Sequence, residues 1–111
     1  MAPASRIRIR ALLREGIVGA QISLCGWVRT RRDSKEFSFL EINDGSCLAN
    51  VQVIAKRELE DFEANVLEAH TGAAVEITGI VVESPGKGQR IEIHATRVKL
   101  VGASDAESYP L

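Results

Sequence analysis

Apolar and polar residues alternate along most of this chain, which predicts that strands dominate its structure. Successive side chains of a strand point to opposite faces of a sheet, so alternation separates a buried face from an exposed one. Clusters of Gly, Asn, Asp, Ser and Pro separate the alternating segments. We predict five strands, at residues 21–31, 37–43, 48–55, 74–83 and 89–100.

The second of these strands has a clear division between its two faces. Leu40 and Ile42 share one parity and form the better candidate for the core. Phe39, Glu41 and Asn43 have the other parity, so we expect them on the outer surface. An aromatic ring on that surface calls for an explanation, because large apolar side chains are usually buried.

A tight turn connects the second and third strands. Residues 43–46 read Asn-Asp-Gly-Ser, and Gly beside Asn or Asp tolerates the positive φ of a hairpin. The two strands should therefore pair antiparallel. Asn50 and Gln52 have the parity opposite to Val51 and Val53, which places their amides on the same outer face as Phe39.

A helical period replaces the alternation between the third and fourth strands. We predict a helix over residues 59–70, with Gly72 just past its end, and a shorter lead-in helix over residues 10–15 closed by Gly16. The apolar stripe of the longer helix consists of Leu59, Phe62, Val66 and Ala69.

The order of these elements predicts a closed barrel. The last strand changes parity after Ala95, as a bulge in a curved sheet requires. Three strands, a helix and two strands form the order of an all-β, five-stranded OB barrel with a capping helix, whose usual ligands are oligonucleotides and oligosaccharides. We assign residues 1–18 to the lead-in segment, 19–103 to the OB domain and 104–111 to a polar tail.

Composition narrows the class of protein and of ligand. With 111 residues, 45% of them hydrophobic, the chain fits one globular domain, and no apolar run reaches the ~20 residues of a membrane span. The N-terminus lacks the apolar region of a secretory signal, so we expect a cytoplasmic protein without a membrane partner. Cys25 and Cys47 show no metal-binding spacing, and we predict no metal site. A net charge of −1 excludes indiscriminate coating of nucleic acid, so any such site must be local.

Cations concentrate between the first two strands, close to the predicted position of Phe39. Guanidinium groups bind phosphates or base edges, and an exposed ring stacks on an unpaired base. Arg29 and Arg31 are expected beside Phe39. Arg32 has the parity of Val28, so only a bulge or a strand end would turn it outward.

Other residues receive weaker assignments. Trp27 is expected in the core, and neither His70 nor His94 is assigned a catalytic role. The Gly86-Lys87-Gly88 loop lacks the ending of a phosphate-binding Walker loop and lies between strands, so we interpret it as a hairpin tip. The candidate additional RNA contacts are Arg29, Arg31, Lys35, Glu41 and Lys87.

The run GWVRTRRDSKEFSFLEINDGSC, followed by NVQVI and TGIVVESPGKGQRIEI, resembles the N-terminal anticodon-binding domain of asparaginyl-tRNA synthetases, which are class IIb enzymes. The resemblance implies an OB barrel that binds the anticodon loop of tRNA(Asn). From the related aspartyl enzymes it further implies that the central anticodon uridine stacks on Phe39 and is recognised by Arg32 and Gln52. An aspartyl-type domain is the nearest alternative, although Asp33-Ser34-Lys35 is more similar to the asparaginyl pattern.

The same resemblance implies that this chain alone is no catalyst. ATP and Mg²⁺ would act in a catalytic domain absent from it, through which the parent enzyme would form a homodimer, and residues 104–111 would begin the hinge to that domain. Two other classes remain open. One is a free-standing OB module that binds single-stranded nucleic acid, and the other is a metal-dependent nuclease using Glu41 and Asp44.

Overall fold

A computed structural model describes residues 5–15, 17–47, 49–60, 62–84 and 91–102 of the chain. These residues form six strands and two short helical segments. In chain order they are β1 (Ser5–Arg6), α1 (Ile9–Glu15), β2 (Gln21–Asp33), β3 (Phe37–Asn43), β4 (Val51–Lys56), a π-helix (Glu63–Leu67), β5 (Ala74–Glu83) and β6 (Ile91–Gly102).

The strands β2 to β6 form a closed barrel. The first half of β2 pairs antiparallel with β5, and its second half pairs antiparallel with β3. The strand β3 pairs antiparallel with β4, β4 pairs parallel with β6, and β6 pairs antiparallel with β5. Because β2 contacts both β3 and β5, the sheet closes on itself, and the predicted five-stranded OB fold is confirmed.

Aliphatic side chains from every barrel strand fill the interior. Leu40 and Ile42 of β3 have no exposed surface, which confirms the core face predicted for this strand. Burying a side chain of this size contributes roughly 1.5–3 kcal/mol. The fully buried residues around them include Leu24, Val28, Val51, Val53, Ile77, Ile91 and Ile93.

Gly26 lies where β2 changes its pairing partner. A Cβ atom at this position would lie 2.5 Å from the carbonyl oxygen of Asn43 and 2.8 Å from Cγ2 of Ile42. The backbones of β2 and β3 approach so closely here that any side chain would force them apart. This close approach accounts for the glycine at position 26.

Two strands of the barrel contain a bulge. In β6 the register passes from Ala95 opposite Gly79 to Arg97 opposite Thr78, which leaves Thr96 as the extra residue. The parity change predicted after Ala95 is therefore confirmed. The β5–β6 pairing has another register shift between Ala74 and Val75. A third shift lies in β2, between Val28 and Thr30, and it determines the candidate site described below.

The helix predicted over residues 59–70 is wrong in its extent. Only Glu63–Leu67 is helical beyond Phe62, and it forms a π-helix. Residues 57–60 form turns instead, in which the amide of Leu59 donates to the carbonyl of Lys56 at 3.1 Å. The predicted stripe nevertheless packs on the barrel, since Phe62, Val66 and Ala69 are buried. Burial of this stripe sets the position of the segment, whereas its backbone need not be a regular helix.

Several strand boundaries also differ from the predictions, including those of β6, which covers Ile91–Gly102 instead of residues 89–100. The strand β2 continues to Asp33, and β4 begins only at Val51, after a turn held by the side chain of Asn43. Residue 48, where the prediction placed the start of that strand, lies outside the described residues. The lead-in segment contains a strand that alternation does not reveal, β1, which pairs parallel with β2.

The helix α1 docks on the turn that follows β3. Its inward residues Ile9 and Leu12 are fully buried. The carboxylate of Asp44 accepts a hydrogen bond from the amide of Ile9 at 2.8 Å, and the hydroxyl of Ser46 accepts one from the amide of Arg10 at 3.0 Å. The turn thus satisfies two of the amides that a helix leaves unpaired at its start.

Candidate nucleic-acid interface

The bulge in β2 decides which arginines face the outer surface. The register of β2 with β3 skips Arg29 and then places Thr30 opposite Glu41 and Arg32 opposite Phe39. A bulge adds one residue and so reverses the parity of all residues that follow it. Arg32 consequently shares the outer face with Phe39. The sequence predicts this placement only if the strand contains a bulge or ends before Arg32.

Phe39 is half-buried and is held from two sides. The ring of Phe37 meets it edge to face, with centroids 4.7 Å apart and an interplanar angle of 81°. The guanidinium carbon of Arg32 lies over its face, 4.9 Å from the centroid. These contacts, a T-shaped aromatic pair and a cation–π interaction, orient the ring on the outer wall of the barrel.

Gln52 lies next to this ring on β4. It pairs with Glu41 across the β3–β4 ladder, two residues further along β3 than the pair of Phe39 with Ile54 and therefore on the same face. Side chains at such diagonal positions are about 7–8 Å apart on the same face of a sheet. Arg32, Phe39 and Gln52 therefore lie together on the outer face of β2, β3 and β4.

The predicted position of Arg31 beside Phe39 is wrong. The bulge places Arg31 opposite the buried Leu40, and its guanidinium donates to the carbonyl of Val66 at 2.9 Å and to that of Leu67 at 2.6 Å. Its Nε atom also lies 3.3 Å from the carboxylate of Asp33. Arg31 caps the end of the π-helix, so its donors serve the fold.

Asn43 is also misplaced by the predicted alternation, since it is only 8% exposed. Its amide nitrogen donates to the carbonyls of Cys47 at 3.1 Å and Ala49 at 3.2 Å, and its oxygen accepts from the amide of Gly45 at 2.7 Å. An Asn that bonds the backbone of its own turn replaces the ladder hydrogen bonds that end there. The residue organises the turn and is not part of the outer face.

The other candidate contacts occupy different environments. Arg29 and Lys35 are exposed, and Arg29 lines a hollow of about 400 Å³ together with the turn after β3. Glu41 is half-buried and accepts a hydrogen bond from the amide of Asn50 at 3.4 Å. Lys87 lies outside the described residues.

Three aromatic side chains of the outer wall were interpreted incompletely from the sequence. Trp27 is half-buried beside Gly45 rather than a core residue. The contact of Phe37 with Phe39 could have been expected, because the two residues have the same parity. His94 lies opposite Ile54, and its Nε2 atom is 2.8 Å from the nearly buried carboxylate of Glu92. Only the β4–β6 pairing brings His94 into the row that begins with Arg32, so local pattern could not reveal it.

This barrel wall has the composition of a surface that binds unpaired bases: an oriented ring, a guanidinium and an amide. The tRNA anti-codon family model, described as an OB-fold nucleic acid binding domain, matches residues 22–101. The chain belongs to this family of OB-fold nucleic-acid-binding domains.

Two curated relatives make the likeness more specific. Asparagine–tRNA ligase of Nitratidesulfovibrio vulgaris is 62% identical over 90 residues, which cover 81% of this chain and 19% of that protein. The same enzyme of a Nostoc species is 48% identical over 104 residues, covering 94% of this chain and 22% of that protein. The resemblance to the OB domain of asparaginyl-tRNA synthetases is thus confirmed. The chain spans about a fifth of the length of these relatives.

Solved structures show the same fold at low sequence identity. The asparaginyl-tRNA synthetase of Entamoeba histolytica in complex with asparaginyl-adenylate aligns with a TM-score of 0.75 at 24% identity, covering 96% of this chain and 26% of that one. An OBody bound to hen egg-white lysozyme aligns with a TM-score of 0.76 at 22% identity, covering 94% of this chain and 99% of that one. No helix within the described ranges is long and apolar enough to cross a lipid bilayer.

Proposed function

We propose that this domain binds the anticodon loop of tRNA(Asn) and recognises the central uridine of its GUU anticodon. The observation that carries the proposal is the placement of Arg32 over the ring of Phe39, on the same face as Gln52. Family membership supports nucleic acid as the ligand, and the similarity to asparagine–tRNA ligases supports tRNA(Asn).

The geometry explains how one base would be bound. A uracil ring stacking on Phe39 takes the place of the Arg32 guanidinium, which then moves to the edge of the base. There Arg32 donates to a carbonyl oxygen of uracil. The amide oxygen of Gln52 accepts from the ring N–H of uracil, and the amide nitrogen of Gln52 donates to its second carbonyl.

Cytosine would fit the same site badly. It presents an acceptor where uracil has the ring N–H, and an amino group where uracil has a carbonyl. If Arg32 contacts the 4-carbonyl of uracil, the amino group of cytosine would face the donors of Arg32, and rotating the Gln52 amide does not remove that mismatch. At least one polar group would then be left without a partner inside the contact, which is costly for a site that hydrogen-bonds its ligand. The proposed site therefore discriminates by hydrogen-bond polarity and uses stacking for affinity.

The test is a titration of anticodon stem-loops that differ only in the central base. We expect tighter binding of the uridine hairpin than of the cytidine hairpin. Replacing Phe39 by Ala should weaken binding of the uridine hairpin by about 1–3 kcal/mol. The variant Phe39→Leu keeps apolar bulk without a π-face, so it should lose nearly as much affinity. Its melting temperature should show that the variant is still folded. Equal affinity for the two hairpins would refute the recognition of uridine.

A second comparison separates the asparaginyl assignment from the aspartyl one. Hairpins with the anticodons GUU and GUC share the central uridine and differ only in the last base. The proposal predicts a preference for GUU, and a preference for GUC would assign the domain to the aspartyl type. Aminoacylation, with its ATP and Mg²⁺, and homodimerisation belong in this proposal to the part of the relatives that this chain does not span. With tRNA as the ligand, the place of action is the cytoplasm.

The structure offers no support for the nuclease alternative. The carboxylate of Asp44 already accepts hydrogen bonds from the amides of Ile9 and Ser46, and it lies in the turn that caps α1. Among the described side chains, no group of three or more His, Cys, Asp and Glu is arranged to hold a metal ion. We therefore assign Asp44 to the fold.

A further inference from the structure

A second group of arginines lies on and beside α1, at one end of the barrel. Arg8, Arg10 and Arg14 are exposed, and together with Ala11 and Ser46 they line a shallow pocket of about 200 Å³. We call these three residues the α1 arginine patch. Among the side chains that the structure describes, which do not include that of Glu15, no carboxylate lies at ion-pair distance from any of the three guanidinium groups.

The patch is held in a defined position by the barrel. The opposite face of α1 is anchored by Ile9 and Leu12, both fully buried. The amides at the start of α1 are already bound by Asp44 and Ser46, so the backbone of the helix is not the anion receptor. The charge that this end of the domain presents to solvent therefore comes from the arginine side chains.

The patch is connected to the proposed uridine site by a short stretch of β3. From Phe39 to Asn43 the strand covers four residues, which corresponds to roughly 13 Å. The turn that follows borders Arg29 on one side, through Gly45, and the α1 arginine patch on the other, through Ser46. Arg32 lies beside Phe39 of β3, and Arg29 and the α1 arginine patch lie beside the turn that follows this strand.

We propose that the α1 arginine patch binds phosphates of the RNA backbone that flanks the recognised base. This inference rests on the proposed function, since it extends the same RNA ligand over a second surface. Planar guanidinium groups bind phosphate through two parallel hydrogen bonds, and three exposed cations beside one RNA site match the charge of its backbone. The patch contributes affinity without reading sequence, because phosphates are the same at every position.

The test measures how affinity for the uridine hairpin depends on salt. Each phosphate contact contributes about −0.7 to −0.9 to the slope of log K against log salt. We expect the double variant R10Q/R14Q to reduce the magnitude of this slope by about 1.5 and to leave the ratio of uridine to cytidine affinity unchanged. The matched control is R97Q/K99Q, which removes two exposed cations of β6 and should leave the slope as it is.

Two further measurements sharpen the result. The variant R10K/R14K keeps both charges and should restore most of the slope, because counterion release depends on charge. An unpaired oligonucleotide with the loop sequence is titrated beside the hairpin. If R10Q/R14Q reduces the slope with both probes, the patch binds loop phosphates. If the slope is reduced with the hairpin alone, the patch binds phosphates of the stem.

The outcomes of the two proposals are distinguishable. If R10Q/R14Q has the slope of the unaltered protein while the uridine preference persists, the patch proposal is overturned and the uridine site stands. If the central base has no effect while the slope still falls, the uridine site is refuted and phosphate binding by the patch remains. If R97Q/K99Q reduces the slope as much as R10Q/R14Q does, the slope depends on net charge alone, and the patch proposal is also overturned.

Discussion

Arg31 and Arg32 are neighbours of the same residue type with different environments. Arg31 turns inward and binds the carbonyls of Val66 and Leu67, whereas Arg32 lies over Phe39 on the outer wall. Hydrogen bonds from a charged donor to buried carbonyls stabilise by about 1.5–3 kcal/mol, while an exposed cation–π contact contributes about 0.5–1 kcal/mol. One residue therefore serves stability and the other is available for a ligand.

This difference predicts opposite effects of the same substitution. Arg31→Met should lower the free energy of unfolding by about 1.5–3 kcal/mol and leave RNA affinity unchanged where the protein is folded. Arg32→Met should cost at most about 1 kcal/mol of stability and weaken binding of the uridine hairpin. Urea unfolding and hairpin titration on both variants measure the two effects. A stable Arg31→Met protein would show that the carbonyl contacts are unimportant.

The turn after β3 acts on α1 as a cap supplied from another element. Burial raises the pKa of Asp44, but hydrogen bonds from the Ser46 hydroxyl and from the amides of Ile9 and Ser46 outweigh this effect and hold the pKa below its ordinary value of 3.8. A carboxyl group with a lowered folded-state pKa stabilises the fold above its unfolded pKa. That stabilisation is lost as the pH falls through the folded value.

Asp44→Ala should consequently destabilise the domain by about 0.5–2 kcal/mol at neutral pH, the usual cost of losing a helix cap. The difference in free energy of unfolding between the variant and the unaltered protein should become smaller once the pH falls below 3.8. Protonation of Asp44 weakens these hydrogen bonds in the unaltered protein. Urea unfolding of both proteins at pH 7 and at pH 3 gives the comparison. A gap of constant size would show that the charge of Asp44 does not contribute.

For the whole molecule, local cations must attract RNA against a net charge of −1. The barrel keeps Arg29, Arg32 and Lys35 exposed on β2 and its hairpin. Exposed glutamates follow β4 in the segment that contains the π-helix, namely Glu58, Glu60 and Glu63. No ion pair among the described side chains joins these glutamates to a proposed contact residue, so they act on phosphates through repulsion at a distance.

Replacing all three glutamates by glutamine should therefore strengthen binding of every RNA hairpin at low salt. The ratio of uridine to cytidine affinity should stay the same, because long-range charge carries no information about base identity. Titrations at about 0.05 M and 1 M salt test this, since screening at 1 M removes interactions beyond about 3 Å. A changed ratio would place one of the glutamates in the recognition site.

The sequence predicts the parts of this site that depend on regular strands. Phe39 lies outward and Leu40 inward because alternation in β3 is unbroken. The apolar residues after Ala95 change parity, which indicates the bulge in β6. The sequence pattern does not indicate the bulge at Arg29. Every residue from Arg29 to Asp33 is polar, so the pattern cannot distinguish inward from outward positions. For that reason Arg31 was misassigned and Arg32 could not be placed.

By itself the sequence determined the order of the five barrel strands along the chain and the outward ring of Phe39, because each depends on apolar periodicity along a few neighbouring residues. Only the tertiary structure decided the bulge that turns Arg32 toward Phe39, the inward capping role of Arg31 and the docking of α1 on the turn after β3. These features arise from strand register and from hydrogen bonds between residues about 35 positions apart in the chain, such as Ile9 with Asp44. A local pattern carries no information about contacts at that separation.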